Sequence, residues 1–322
     1  MQRWQGLEAV PTGWGHCVVT VGVFDGVHRG HAEIIGRAVE LAAHRKVPSV
    51  VITFVPHPSE VVRPGSHPPE LTTLTRRAEL VEALGADVFC ELPFTYEFSQ
   101  MRPDEFAHRA LVESLHAVGV VVGENFRFGH KAAGNVELLR QFGERFGFTA
   151  EGVPLLREND ITLSATYVRT CVLAGDVSGA AIALGHPHRV DGVVELGDQR
   201  GRLLGFPTAN MRTAAWTAIP ADGVYAGRVW RLDGEGRTIG DGPLGESAIS
   251  VGSNPTFDVT KRRVEAHILD FDGDLYGHPL GVEFVERVRG QVKFDGMDSL
   301  IAQMTLDVVQ IGEILAQVRP KF

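Results

Sequence analysis

The segment VGVFDGVHRGH, residues 21–31, is the most informative part of the first half of the chain. It continues CVVTVGVF, residues 17–24, an apolar run rich in β-branched residues that predicts a buried strand. AEIIGRAVELAAHRK, residues 32–46, follows with apolar residues at helical spacing and predicts an amphipathic helix. The segment therefore lies at a strand-to-helix junction, where backbone N–H groups at the helix start can face a phosphate.

Two histidines in this segment are candidate catalytic residues. His28 and His31 are three residues apart at the start of the predicted helix, so both imidazoles project from one side. There they could donate hydrogen bonds to a triphosphate and stabilise the charge that develops in phosphoryl transfer. The alternatives are surface histidines without a role, or a zinc site, although further ligands at metal spacing are lacking. We also predict nucleotide contacts from Gly22, Phe24, Asp25 and Gly26.

The rest of the first half alternates strand-like and helix-like segments. SVVITFV (49–55) and VGVVVG (118–123) predict buried strands, and RPDEFAHRALVESL (102–115) predicts a helix with Pro and two acids in its first turn. Strands that are apolar on both faces favour a parallel sheet covered by helices. The sequence therefore predicts an α/β domain of the Rossmann-like type.

The second half changes character and predicts a small antiparallel β-barrel. Five segments alternate apolar and polar residues or read as short strands between Gly, Asp and Pro. These segments are GVVEL (192–196), GVYAGRVW (223–230), ESAISVG (246–252), RVEAHILDF (263–271) and GVEFVERVR (281–289). A closing helix carries an apolar stripe of Leu300, Met304, Val308, Ile311 and Leu315. We place the domain boundary in the breaker-rich joint, giving domains 1–184 and 185–322.

Composition limits the classes of partner and compartment. The chain is 44% hydrophobic and 22% charged, as in a globular protein, and 31 basic against 40 acidic residues give a net charge of −9. That charge argues against nonspecific nucleic-acid binding and against an anionic membrane surface. Cys17, Cys90 and Cys171 form no CxxC pair, which fits a reducing cytoplasm. We expect neither a signal peptide nor an apolar run of membrane-spanning length, and the oligomeric state stays open, a homo-oligomer included.

The motifs of the first half resemble a known family. HxGH is the motif of the nucleotidyltransferase superfamily, and the longer GxFDGxHxGH is similar to that of the bacterial FAD synthetases. TFVPHP (53–58), GENFRFG (123–129) and LSATYVRT (163–170) resemble three further motifs of that family in the same order. The resemblance implies an FMN adenylyltransferase, in which the FMN phosphate attacks the α-phosphorus of ATP and no protein nucleophile is required.

The same resemblance implies roles for four more residues. Asn125 would help to place the reacting phosphates, as a catalytic residue. Ser164, Thr166 and Arg169 would hold the nucleotide and the leaving pyrophosphate. Ala165 departs from the family, which usually has a second Ser there, so we expect a lower rate of adenylylation rather than its loss.

The second half resembles riboflavin kinase. GDQRGRLLGFPTAN (197–210) contains the GFPTAN signature, and DGVYAG (222–227), SVGSNPTF (250–257) and VEAHILDF (264–271) follow in the family's order. The resemblance implies that Thr208 and Asn210 supply oxygen ligands to Mg²⁺ and the ATP phosphates, in keeping with the hard oxygen ligands that Mg²⁺ prefers. The remaining phosphate-binding residues that it implies are Gly201, Gly205 and Pro207.

Glu265 is the candidate general base of the second half. It lies on a predicted strand among apolar neighbours, where a carboxylate is unfavourable unless it has a partner or a function. It could accept the proton of the riboflavin 5′-hydroxyl as that oxygen attacks the γ-phosphate. The alternative is an outward-facing acid paired with Arg262 or Arg263.

The resemblance thus predicts a bifunctional enzyme that takes riboflavin to FMN and FMN to FAD with ATP in both steps. Three other readings stay open: an enzyme with one active half, a flavin-binding or regulatory protein without catalysis, and a cytidylyltransferase acting on a small alcohol phosphate. The last shares HxGH but has no reason to carry GFPTAN or a barrel.

Overall fold

A computed structural model describes residues 1–197, 205–253 and 262–318 of the chain. These residues form two compact units. The first contains Met1–Pro68 and Arg77–Leu163, and the second contains Pro69–Arg76 and Ser164–Phe322. The domain division between residues 184 and 185 stays a prediction.

The first unit is built on a six-stranded parallel sheet with the order β1-β4-β3-β2-β5-β6. Every neighbouring pair in it runs parallel, which confirms the predicted sheet. Its strands are β1 Gln2–Gln5, β2 Cys17–Val21, β3 Ser49–Val55, β4 Val88–Pro93, β5 Ala117–Gly123 and β6 Thr149–Val153. A short hairpin of β7 Arg157–Glu158 and β8 Ile161–Thr162 follows the sheet.

Helices connect the strands of this sheet. They are α1 Arg29–Arg45, α2 Pro58–Val62, α3 Leu74–Ala83, α4 Tyr96–Ser99, α5 Pro103–Phe106 and α6 Val136–Phe146. The apolar face predicted for α1 is real, since Ile35, Ala38 and Ala42 are buried. The helix predicted over residues 102–115 begins as α5 and continues as a π-helix over Ala107–Ser114.

The order of the strands creates a crevice beside β2. The chain passes from β2 to β3 and β4 on one side, and then crosses to β5 on the other side of β2. In open parallel sheets, ligands bind outside the carboxyl ends of the strands at such a switch point. The segments that follow β2 and β5 are therefore the expected ligand-binding segments of this unit.

The second unit contains a closed antiparallel barrel. Six strands follow the order β11-β13-β14-β10-β9-β15, and β15 closes the barrel by pairing with β11. A Cβ at Gly227 of β11 would lie 2.0 Å from the carbonyl oxygen of Glu283 in β15, so glycine permits this closure. The six barrel strands are β9 His188–Glu195, β10 Ala209–Thr213, β11 Gly223–Leu232, β13 Gly245–Ser253, β14 Arg262–Ile268 and β15 Pro279–Arg289, and the short β12 Thr238–Ile239 pairs with the end of β11.

Three helices complete the second unit: α7 Ala165–Ala174, α8 Val177–Leu184 and α9 Met297–Gln317. Ile311 and Leu315 of α9 pack against Val224 and Ala226 of the barrel, which confirms the predicted capping helix. The buried Asp307 of α9 accepts hydrogen bonds from the guanidinium of Arg289, the shortest at 2.6 Å.

By length and composition alone, α9 is long and apolar enough to cross a membrane. The expectation that the chain has no apolar run of membrane-spanning length was therefore wrong for α9, judged by length and composition. One side of α9 nonetheless lies on the barrel through Asp307, Ile311 and Leu315.

The segment Pro69–Arg76 packs with the barrel although its sequence neighbours lie in the first unit. The hydroxyl of Thr73 donates to Asp191 at 2.8 Å, and Glu70 exchanges backbone hydrogen bonds with Trp216 and Ala218. Arg76 lies 4.0 Å from Glu283, a carboxyl whose pKa is raised by burial. Local periodicity cannot reveal such a long-range docking.

The ion pair of α9 predicts a stability change. Asp307→Ala would leave the guanidinium of Arg289 without its carboxylate, so we expect unfolding of the barrel to become easier by about 2 kcal/mol. Glu313→Ala, an exposed site on the same helix, is the control and should change stability by less than about 0.5 kcal/mol. Urea unfolding followed by tryptophan fluorescence in a Trp4→Phe/Trp14→Phe background reports the barrel. Equal midpoints for the two variants would contradict this expectation.

Buried thiols predict a pH dependence of the first unit. Burial raises the pKa of Cys17 to about 12, above its unfolded value near 9. The folded state therefore favours the protonated thiol, and its contribution to stability is complete below pH 9 and declines as the pH rises towards 12. Relative to Cys17→Ala, the free energy of unfolding of the wild-type chain should fall by up to about 1.4 kcal/mol per pH unit above pH 9. Parallel urea curves at pH 8 and pH 10.5 measure this difference, and equal losses in both proteins would refute it.

Candidate active sites

A tight turn joins β2 to α1 and shapes the first candidate site. The residues Phe24, Gly26 and Val27 have φ values of 51°, 77° and 41°. Gly26 adopts such a conformation readily, whereas Phe24 and the β-branched Val27 adopt it only under constraint from their surroundings. The turn also explains why β2 ends at Val21, three residues before the predicted end of the strand.

The two histidines lie together at the start of α1. His28 is the N-cap of the helix, and its Nδ1 accepts a hydrogen bond from the backbone N–H of His31 at 3.3 Å. The two rings stack with their centroids 3.6 Å apart and an angle of 23° between planes. A Cβ at Gly30 would lie 3.3 Å from the ring of His28, so the glycine between the histidines gives the stack room. Both imidazoles thus lie on one side of the helix start, as their spacing predicts.

Phe24 connects the turn to this histidine pair. Its buried ring contacts the ring of His31 edge to face, with centroids 5.2 Å apart. A Cβ at Gly22 would lie 2.9 Å from the same phenyl ring, so Gly22 makes room for Phe24. The structure therefore supplies a packing reason for both residues, and the nucleotide contacts assigned to Gly22, Phe24, Asp25 and Gly26 stay predictions.

Three motifs meet at the carboxyl edge of the sheet. The HxGH segment follows β2, the GENFRFG segment with Asn125 follows β5, and the TFVPHP segment runs from the end of β3 into α2. Since β3, β2 and β5 are neighbours in that order, the sheet brings the three segments to one crevice. The side chain of Asn125 is exposed there, with its Oδ1 close to Gly123.

Within the LSATYVRT segment, residues 164–170 form the N-cap and first turns of α7 and are part of the second unit. Ser164 is the N-cap of α7, and its hydroxyl accepts from the N–H of Tyr167 at 3.2 Å. Arg169 donates from Nε to the carbonyl of Pro69 at 2.7 Å. These contacts give Ser164 and Arg169 structural roles, and the nucleotide binding assigned to Ser164, Thr166 and Arg169 stays a prediction.

The second candidate site lies where β10 runs between β9 and β14. Strand register places Asn210 directly opposite Glu265, and the hydroxyl of Thr208 lies 3.4 Å from the carboxylate of Glu265. The structure thus brings together the three residues that the motifs single out in this unit. Arg262 instead pairs with Asp222 at 3.2 Å.

Glycines and a histidine support this arrangement. A Cβ at Gly197 would lie 2.4 Å from the amide of Asn210, so only glycine leaves space for that side chain. Gly205 has a φ of 85°, whereas Gly201 lies outside the described residues. His267 was missed from sequence, although it lies two residues after Glu265 on the same face of β14. Its Nδ1 is 2.8 Å from the carbonyl oxygen of Pro207.

An apolar pocket of about 70 Å³ opens beside Thr208. Its lining is mainly apolar, and the hydroxyl of Thr208 is a polar group at its wall. The lining residues are Val194, Pro207, Thr208, Ala209, Ala266, Ile268, Phe271, Leu275 and Tyr276. The aromatic Tyr225 is not in this pocket, since it is fully buried and contacts Phe284 in the barrel core.

The donor chemistry of the second site fits a magnesium ion. The hydroxyl of Thr208, the amide oxygen of Asn210 and the carboxylate of Glu265 are hard oxygen donors on neighbouring positions of β14 and of the start of β10. Few protein ligands suffice, because Mg²⁺ keeps several waters and binds substrate phosphates.

Comparison with known proteins matches both units. The family model FAD synthetase matches residues 11–167, and the family model riboflavin kinase matches residues 184–315. A bifunctional riboflavin kinase/FMN adenylyltransferase of Escherichia coli K12 is 32% identical, with 94% of each chain covered. The protein of that name from Listeria monocytogenes is 36% identical, with 90% of each chain covered.

The chain belongs to the bifunctional riboflavin kinase/FMN adenylyltransferase family. Its relative of the same name from Pseudomonas fluorescens is 34% identical, with 98% of each chain covered. The resemblance found in the sequence motifs is therefore confirmed over nearly the whole length of the family's chains.

A solved structure shares the architecture of this family member. It is described as "Crystal Structure of Macrolide-efflux Protein from Streptococcus pneumoniae", and it is 30% identical with a TM-score of 0.83. The match covers 96% of this chain and 98% of that chain. Its description names efflux, whereas the family models and the curated relatives carry the names of two enzymes.

Proposed function

We propose that the chain phosphorylates riboflavin to FMN in the barrel and adenylylates FMN to FAD, with release of pyrophosphate, at the HxGH site. ATP is the co-substrate of both steps. The proposal rests on the proximity of Thr208 and Asn210 to Glu265 in the barrel, together with the stacked histidines at the start of α1 in the parallel-sheet unit. These groups support one phosphate transfer in each unit.

In the kinase step Glu265 is the general base. The carboxylate lies beside the apolar pocket and would take the proton of the riboflavin 5′-hydroxyl as its oxygen attacks the γ-phosphorus. Thr208 and Asn210 would hold the magnesium ion together with the phosphates of ATP. That ion supplies charge neutralisation on the phosphate oxygens.

In the adenylylation step the residues of the chain position the reactants and stabilise the developing charge. The FMN phosphate attacks the α-phosphorus, and His28 and His31 donate hydrogen bonds to the phosphate oxygens as charge builds up. Asn125, at the end of the neighbouring strand β5, would orient the same phosphates. Ser164, Thr166 and Arg169 would hold the nucleotide and the pyrophosphate that leaves.

The main alternative is an enzyme in which only the kinase half is active, and Ala165 is the residue that favours it. Ala165 is the first residue of α7, directly after the N-cap Ser164, where the family usually has a hydroxyl. The hydroxyl of Thr166 and the guanidinium of Arg169 remain in the motif, so we expect both halves to work. A cytoplasmic location, small-molecule substrates and the absence of nucleic-acid or membrane partners belong to the same proposal.

A histidine substitution separates the two activities. His31→Ala should lower FAD formation from supplied FMN by about 10²-fold or more, because a donor to the phosphates is lost, while FMN formation continues. Chromatography of the flavins after incubation with ATP and Mg²⁺ measures both. His44→Ala, an exposed histidine on the same helix, is the matched control and should leave both steps unchanged. Loss of both steps in a folded His31→Ala protein would disprove separate sites.

A carboxylate substitution tests the barrel. Glu265→Gln keeps the shape of the side chain but removes the base, so FMN formation should fall by about 10²-fold while supplied FMN is still converted to FAD. Glu286→Gln, an exposed site on β15, is the control. Near-normal kinase turnover in Glu265→Gln would remove Glu265 from this role.

A further inference from the structure

Arg77 is a buried cation that the motifs of the sequence do not single out. It lies in α3 beside the buried Ala78, and its side chain is only 5% exposed. Its guanidinium points at the turn between β2 and α1. A charged group rarely occupies such a position unless paired groups offset the loss of water.

The guanidinium of Arg77 contacts the turn on both sides of Phe24. Its Nη1 donates to the carbonyl of Val23 at 3.0 Å, and its Nη2 donates to the carboxylate of Asp25 at 3.4 Å. Thr53, at the end of β3, joins the same group by donating to the carbonyl of Val23 at 2.9 Å. The side chain of Asp25 is 2% exposed, so this ion pair lies out of water.

These contacts act on the part of the turn that carries strain. Phe24, Gly26 and Val27 all have positive φ, and non-glycine residues keep such angles only where neighbouring groups over-determine them. The planar guanidinium fixes Val23 and Asp25 at once, which a single ammonium on a flexible stem does less well. Arg77 therefore holds the two residues that flank Phe24.

Phe24 connects the constrained turn to the histidines. Its ring touches the ring of His31 edge to face, and the turn ends at His28, the N-cap of α1. A displacement of the turn would therefore move both imidazoles relative to the crevice at the carboxyl edge of the sheet. Errors of about 1 Å in the placement of catalytic groups can reduce a rate by about 10²-fold.

We propose that Arg77 is a positioning residue for adenylylation, holding the turn at Val23–Asp25 so that His28 and His31 face the phosphates. It acts through Phe24 and the turn, since its buried guanidinium lies behind them. This inference rests on the proposed adenylyltransferase function of the first unit.

The test compares three variants of the full chain. Arg77→Met keeps the apolar stem but removes the donors, so kcat for FAD formation should fall at least tenfold, with a smaller change in KM for ATP. Arg77→Lys should recover part of that loss, because it restores the positive charge but not the planar pair of donors that reaches Val23 and Asp25 together. Arg140→Met, an exposed arginine paired with Glu137 on α6, is the matched control and should stay within twofold of wild type.

Further readouts separate positioning from a loss of fold. FMN formation by the same protein should be unchanged, and assays well below the unfolding midpoint exclude loss of folded enzyme. Long-range ¹H–¹⁵N spectra of the imidazoles should show a changed tautomer for His28 in Arg77→Met, because its Nδ1 no longer accepts steadily from His31. If Arg77→Met does not fold, Arg77→Lys takes its place, with an expected loss of at least threefold.

The outcomes distinguish this inference from the proposed function. A normal kcat in folded Arg77→Met, combined with an inactive His31→Ala, would overturn the role of Arg77 and leave the site assignment intact. If Arg77→Met does not fold, a normal kcat in Arg77→Lys has the same meaning. Absence of FAD formation in wild type, or full activity in His31→Ala, would instead overturn the assignment of the site.

Discussion

The first unit depends on one constraint, the reversal of the chain between β2 and α1 within a few residues. Positive φ values at Phe24, Gly26 and Val27 end the strand early and start the helix at once. As a result His28 becomes the N-cap and stacks on His31 at the switch point of the sheet. The strain of such a turn is tolerated because buried neighbours, the guanidinium of Arg77 among them, determine its shape.

The barrel reaches its site by a different route, through strand register. The position of β10 between β9 and β14 sets Asn210 opposite Glu265, and Thr208 precedes the strand by one residue. Hydrogen-bonded ladders on both sides of β10 fix this pairing, because a slip by one residue would turn every side chain to the other face. The polar groups of the motifs therefore lie on a strained turn in the first unit and on a regular sheet in the second.

Much of this was predictable from sequence because it depends on local pattern. The apolar runs at β2, β3 and β5, the periodicity of α1 and the alternation in β11 and β13 each follow from burial of one or both faces. The motifs supplied the site residues, whose roles stay predictions. Local pattern could not show that Pro69–Arg76 packs with the barrel or that Arg77 meets Asp25, because these contacts join distant segments. The same holds for His267 of β14, which contacts Pro207 just before the neighbouring strand β10.

One polypeptide thus carries out two different phosphate transfers on a flavin. The most direct measurement follows labelled ATP in a single reaction of the purified chain with riboflavin and Mg²⁺. Label in the γ-phosphate should appear in FMN and then in FAD, whereas label in the α-phosphate should appear in FAD but not in FMN. Absence of γ-label from FMN, or of α-label from FAD, would show that the chain does not perform both transfers.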